Sequence, residues 1–165
     1  MLSIDNSQSK IDNHEAPIAN RQWVADRVTH SPEETMLFGR EIARNLQLPC
    51  LVLLEGDLGA GKTTLVKGIV AGLGAASEDE VTSPSFTLVH EYGSGGRVFH
   101  ADLYRIEGAR DLATLGLEDL SNQAATVLVE WGDKLGESFP KPCVKIRMEH
   151  HGNDSRRILI ERIEA

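Results

Sequence analysis

The chain of 165 residues is poor in several features that would point to particular classes of protein. It has only two cysteines, Cys50 and Cys143, far apart and without CxxC spacing. A disulfide framework and a zinc ribbon are therefore disfavoured, and both read as reduced, buried thiols at strand edges, each opening an apolar run. No apolar run approaches the roughly 18 residues of a membrane helix. The opening residues lack the charged start and apolar stretch of a secretory signal. The expectation is a cytoplasmic protein with no membrane association. Basic excess is missing too: Lys plus Arg is 17 against 25 for Asp plus Glu, a formal net charge of -8. A protein that grips a phosphate backbone unaided carries a basic surface, so an autonomous nucleic-acid binder is disfavoured. There is no internal repeat and no low-complexity block. The length leaves room for one domain and no separate substrate lobe. Hydrophobic residues at 41% and charged residues at 25% match an ordinary globular composition.

Residues 1–20 are polar and aperiodic and read as a mobile tail, leaving 21–165 as a single domain. A short strand is expected from Gln22 to Val28. Ser31, Pro32 and Glu34 then spell a helix start with a capping box. Its apolar face would run through Met36, Gly39, Ile42, Ala43 and Leu46 before Pro49 stops it. Cys50 to Glu55 is an unbroken apolar strand, the signature of a parallel sheet covered on both faces. A glycine-rich turn and a helix from Gly61 to about Leu73 follow, with Leu65, Val66, Ile69, Val70 and Leu73 as the buried stripe and Gly74 as the stop. Residues 77–80 read as a solvated loop. Phe86 to Tyr92 and Arg97 to Leu103 form a hairpin across Gly93 to Gly96. Residues 107–120 suggest a helix and turn, and Thr126 to Trp131 is a second buried parallel strand. Val144, Ile146 and Met148 alternate with charged residues, and His151 to Asp154 turns the chain into a last strand from Arg156 to Ile163. The class is α/β: three layers with a central, mostly parallel sheet and an antiparallel C-terminal hairpin.

The strongest motif is Gly56-Asp57-Leu58-Gly59-Ala60-Gly61-Lys62-Thr63, which fits GxxxxGK followed by Ser or Thr. It leaves a buried strand and opens a helix, as the phosphate loop of nucleoside triphosphatases must. Glycines let backbone N–H groups turn inward around phosphate oxygens, and the helix start adds the positive end of its dipole. Residues Gly56 to Thr64 are thus the expected nucleotide-binding segment. Lys62 should reach the β and γ phosphates, and the Thr63 hydroxyl should bind Mg²⁺. Such a site needs a second oxygen ligand and a residue that places water, usually from a neighbouring strand end. Asp102 and Glu130 each end a candidate strand, Glu130 standing where an Asp is usual. The guanine-type NKxD motif is absent, which favours ATP.

Together with the phosphate loop, Ser83-Pro84-Ser85-Phe86, His100-Ala101-Asp102-Leu103-Tyr104-Arg105, Leu115-Gly116-Leu117-Glu118 and Val129-Glu130-Trp131 occur in one order. This set closely resembles the TsaE (formerly YjeE) family, the bacterial ATPases of tRNA threonylcarbamoyladenosine synthesis. The likeness runs from about residue 29 to residue 148. Ser85 stands where the family usually has Thr and keeps the hydroxyl. The resemblance implies a P-loop fold that binds ATP and Mg²⁺ and hydrolyses ATP slowly alone. It implies service to a partner pair, TsaD with TsaB, which forms N6-threonylcarbamoyladenosine at position 37 of tRNAs reading ANN codons. The tRNA would be met only indirectly, through that complex. The resemblance also implies that Thr63 and Glu130 hold Mg²⁺, that Asp102 is essential, that Ser83, Pro84 and Ser85 form a switch near the γ phosphate, and that residues 30–33 lie near the base.

The remaining residues carry alternatives. His100 shares a strand face with Asp102, where it orients that carboxylate or a water, or simply fills the interior. Tyr104 and Arg105 follow the strand end; Arg105 senses phosphate charge, meets the partner, or makes a surface ion pair. Trp131 either packs beside Glu130 or touches ligand. Glu118 reads as partner surface or a solvated face. No arginine finger is evident in the chain itself, so slow hydrolysis dependent on a partner is expected. A small-molecule kinase is the alternative, but residues 107–125 offer only Arg110 for its lid. A nucleotide-binding scaffold without catalysis is a third reading, opposed by the two acids.

Overall fold

The computed structural model describes residues 24–84, 86–94 and 97–165. The polar tail expected at 1–20 and the beginning of the strand expected at 22 lie outside them.

A seven-stranded sheet forms the centre. In chain order its strands are β1 (Ala25–Thr29), β2 (Leu51–Glu55), β3 (Val89–Tyr92), β4 (Val98–Asp102), β5 (Thr126–Glu130), β6 (Cys143–His150) and β7 (Arg156–Ile163). Their spatial order is β1-β7-β6-β2-β5-β4-β3. The four central strands β6, β2, β5 and β4 run parallel, and β1, β7 and β3 add antiparallel edges. The unbroken apolar runs Leu51–Leu54 and Thr126–Val129 are buried on both faces, as a covered parallel sheet requires. β6 alternates, with Ile146 and Met148 buried and Arg147 exposed.

Helices α1 (Pro32–Asn45) and α2 (Lys62–Gly72) cover one face. There Phe38, Ile42, Val52, Leu54, Leu65, Ile69, Leu128, Ile146 and Ile160 make one core. The two helices pack unusually close: a Cβ at Gly68 would stand 2.1 Å from the Met36 carbonyl oxygen, so only glycine fits there. The other face holds a second core around Leu53, Phe99, Leu103, Val127 and Val129. It is covered by the short helices α3 (Ala109–Thr114) and α4 (Leu117–Ser121) and by a 3₁₀ turn at Gly132–Leu135.

Several local expectations change. The first strand begins no earlier than Ala25 among the described residues and runs on to Thr29. α1 buries Thr35 and Phe38 and leaves Met36 half-buried; the Thr35 hydroxyl pairs with that of Thr29 at 2.7 Å. Ser31 caps as expected, accepting from Glu34 N–H, but the Glu34 carboxylate accepts from His30 N–H, one residue beyond a capping box. The solvated loop at 77–80 carries a 3₁₀ turn, Glu78–Glu80, with Ser77 N–H donating to Glu80. Of the run Phe86 to Tyr92 only Val89 onward is strand. Leu88 adopts a left-handed φ of 64°, and its backbone bonds to Pro84 O and Asp102 N turn the chain. Cys143 is buried and Cys50 half-buried, both free; burial pushes the Cys50 thiol up to about 11. Among the described residues, no helix is long and apolar enough to cross a membrane.

Candidate functional site

The loop Gly56 to Gly61 leaves the carboxyl end of β2, between β5 and β6, and feeds α2. An edge like this, outside the carboxyl ends of parallel strands, is where open α/β sheets bind ligands. Gly61 precedes α2 with φ 99°, a conformation that disfavours a side chain, and a Cβ there would also press on Met148 at 3.3 Å. No side chain caps α2, and its first turn has no acidic residue. Its leading N–H groups are therefore left to an anion. Asp57, Leu58 and Gly59 are exposed at the mouth, and Ala60 is buried beneath, its N–H bonded to Asp57 O at 3.0 Å.

Lys62 is 4% exposed. Its Nζ donates to the carbonyls of Gly56 (2.5 Å) and Asp57 (2.9 Å) and lies 4.1 Å from the centre of the Trp131 ring. Burial pulls its ammonium below the ordinary lysine range, while Glu130, Asp102, Asp133 and Asp57 pull the other way. Such a cation, short of solvent, gains from an approaching phosphate.

The parallel register sets Asp102 beside Glu130, and the two acids end neighbouring strands. Glu130 is buried at 3% exposure. Its Oε1 accepts from the Thr63 hydroxyl at 2.8 Å and lies 2.8 Å from His100 Nε2. Asp102 is half-buried: its Oδ2 accepts from the Ser83 hydroxyl at 2.7 Å and its Oδ1 from Tyr104 N–H at 2.9 Å. Thr63 and Glu130 present hard oxygens side by side, a donor set that fits Mg²⁺. No group of three or more His, Cys, Asp or Glu suited to a metal occurs among the described residues. Mg²⁺ sites commonly take one or two protein oxygens, with waters and phosphate oxygens completing the shell.

A cleft of about 530 Å³ gathers these parts: Leu58, Gly59, Lys62, Thr63, Thr64, Ser83, Pro84, Asp102, Tyr104, Arg105, Glu130 and Trp131 all line it. The size suits a nucleotide-sized ligand. Trp131 turns the chain out of β5 at φ 61°, rare for a bulky residue, and stacks on Tyr104 with ring centres 5.0 Å apart. Lys134 holds that corner by donating to the carbonyls of Tyr104 and Ile106. Arg105 lies 5.3 Å from the Phe86 ring, at the rim. Ser85 lies outside the described residues. Glu118 lies away from this cleft, beside a separate cavity of about 1000 Å³ under α3 and α4.

Two features go beyond the sequence. His100 faces the same side as Asp102 and fills the interior, one of its expected alternatives, but its partner there is Glu130, reached diagonally across the β4–β5 register. Arg156, to which the sequence reading gave no role, lines the cleft from β7 and donates to Gly59 O at 3.3 Å. Nothing local in the sequence marks it, since its place depends on a strand 97 residues from Gly59. Near α1, His30 Nδ1 lies 3.0 Å from the Ser155 hydroxyl, which ties the expected base-side segment to the turn carrying Arg156.

Residues 29–158 match the family model described as threonylcarbamoyl adenosine biosynthesis protein TsaE. The tRNA threonylcarbamoyladenosine biosynthesis protein TsaE of Treponema pallidum is 32% identical over 133 residues, covering 81% of this chain and 97% of the relative. The protein of the same name from Bacillus subtilis is 37% identical over 131 residues, covering 79% and 80%. A crystal structure of YdiB from Bacillus subtilis superposes with a TM-score of 0.68 at 30% identity, covering 88% of this chain and 89% of that one.

Proposed function

The chain belongs to the TsaE family of threonylcarbamoyl adenosine biosynthesis proteins, and from that premise we propose that it is a Mg²⁺-dependent subunit that binds ATP and hydrolyses it slowly. It supports a TsaD–TsaB pair in forming N6-threonylcarbamoyladenosine at position 37 of tRNAs reading ANN codons. The observation that carries the reading is the meeting of three motifs in one cleft: Lys62 and Thr63 of the phosphate loop, Glu130, and the Ser83–Asp102 pair.

Each part has a role that its contacts support. The backbone N–H groups of the loop and of the first turn of α2 hold phosphate oxygens, with Thr64 among them. Lys62 exchanges two carbonyl contacts for phosphate oxygens, a better match for a desolvated ammonium. Thr63 and Glu130 hold Mg²⁺, which neutralises charge across the phosphates when bound. Asp102, with one donor on each oxygen, keeps a fixed carboxylate at the cleft to orient water and take its proton. Ser83 links that carboxylate to the switch segment Ser83, Pro84 and Ser85, so a change at the γ phosphate reaches the surface through one hydrogen bond. Tyr104, Arg105 and Trp131 form the adjoining rim, where phosphate charge and a partner surface are sensed together.

The acidic balance of the chain fits a subunit that meets protein and nucleotide while its partners hold tRNA. The test is the rate of phosphate release by the isolated chain and by the chain with TsaD and TsaB. Slow release alone that rises with the pair supports the reading. Brisk release alone, unchanged by the pair, overturns it.

A further inference from the structure

His100 is fully buried, and the proposed function gives it no task. It stands on β4, two residues before Asp102, on the sheet face covered by α2. Its Nε2 lies 2.8 Å from Glu130 Oε1, the same oxygen that accepts the Thr63 hydroxyl. Its Nδ1 is buried with no hydrogen-bond partner among the described residues. Between the two neutral tautomers, this asymmetry favours a ring proton on Nε2. A proton on Nδ1 would be a buried donor facing no acceptor, and it would leave a bare Nε2 lone pair against a carboxylate oxygen. A proton on Nε2 answers the carboxylate and leaves only an unpaired acceptor, the cheaper of the two arrangements.

We propose that His100 is a positioning residue for Glu130: as the Nε2–H tautomer it donates to Oε1 and, with Thr63, locks the carboxylate so that Oε2 remains free to face the cleft. Oε1 then carries two donors, and Oε2 carries none from the described residues. The Thr63 proton is committed to Glu130, which leaves the lone pairs of its hydroxyl for a cation. Fixing a ligand's orientation through a partner behind it is how such residues tune metal sites, typically by about 10- to 100-fold in affinity. Among the described residues, the carboxylate without His100 would keep only the Thr63 hydroxyl as a side-chain donor. The proposal rests on the reading of Thr63 and Glu130 as the Mg²⁺ pair.

Three measurements on the full chain test it. Long-range ¹H–¹⁵N NMR of the metal-free chain should show His100 as the Nε2–H tautomer; an Nδ1–H pattern overturns the proposal outright. Mn²⁺ binding to the ADP-bound chain, read by EPR, should weaken about 10-fold or more in His100→Leu, with metal-free ADP affinity within about twofold of the unchanged chain. His100→Gln, whose amide nitrogen can take the place of Nε2, should recover most of the loss. Equal Mn²⁺ affinity in all three chains overturns the role of His100. So does an equal loss in Leu and Gln variants, since rescue by the restored donor is what the role requires. Glu130→Gln separates the two claims: if it binds Mn²⁺ as tightly as the unchanged chain, the metal-pair reading itself fails. If it loses Mn²⁺ while His100→Leu does not, only the proposal for His100 fails.

Discussion

The ends of β4 and β5 lie side by side, and each carries an acid, but the two ends are built differently. Glu130 is buried, pinned by Thr63 from α2 and faced by His100 from β4, all within regular structure. Asp102 is half-buried and held by Ser83 and by a backbone N–H of its own exit turn. Its surroundings are loops: Leu88 in a left-handed conformation, and Phe86 and Tyr104 exposed at the rim. Both acids end paired strands, but one carboxylate is held by side chains from helix and strand and the other by groups from the turns beside it. Metal sites gain from the first arrangement and switching from the second. Under the proposed function the difference suits Glu130 to the steady task of holding Mg²⁺ and Asp102 to the state-dependent task of handling water.

The contrast can be broken at graded points. The largest effect is expected outside both acids, at the loop they share: Lys62→Ala should weaken ATP binding about a hundredfold or more, as loss of one partner of a desolvated charge pair does, and abolish hydrolysis; equilibrium binding of a fluorescent ATP analogue checks it. Glu130→Gln should lower Mg²⁺ affinity in the nucleotide complex by at least about tenfold, while metal-free nucleotide binding changes little; titration of Mg²⁺ against bound nucleotide reads this. Ser83→Ala removes one hydrogen bond to a half-exposed carboxylate, worth about 1 kcal/mol. Turnover with the partner pair should fall about fivefold, with ATP affinity unchanged.

The smallest effect concerns pH. In the proposed reading the protonated form of Lys62 binds phosphate, and burial lowers its pKa. ATP affinity should therefore start to fall on the acid side of the ordinary lysine range. A base whose folded value is depressed binds fewer protons folded than unfolded there, so its own contribution to stability rises with pH in that window. Weaker binding with an unchanged or higher melting temperature is the expected pattern.

Much of this was legible in the sequence because it depends on local pattern. The phosphate loop declares itself by glycine spacing between a buried strand and a helix, and the strand-end acids by four apolar or β-branched residues before Glu130. The parallel core followed from runs with no polar face. What stayed hidden depends on register and long-range return. That His100 meets Glu130 follows from how β4 slides against β5, which side-chain alternation within β4 cannot reveal. Arg156 reaches the loop only because β7 pairs between β1 and β6. The turn at Leu88 needs a left-handed residue that no local preference announces. The N-terminal tail and Ser85 lie outside the described residues.

The division of labour between the acids is tested most directly by Asp102→Asn, measured for Mg²⁺-promoted ATP binding and for phosphate release with TsaD and TsaB in the same preparation. Binding and its Mg²⁺ dependence should stay within about twofold while release falls about 100-fold or more, as loss of a general base does. Release at the unchanged rate, or a loss of Mg²⁺-promoted binding equal to that of Glu130→Gln, would contradict it.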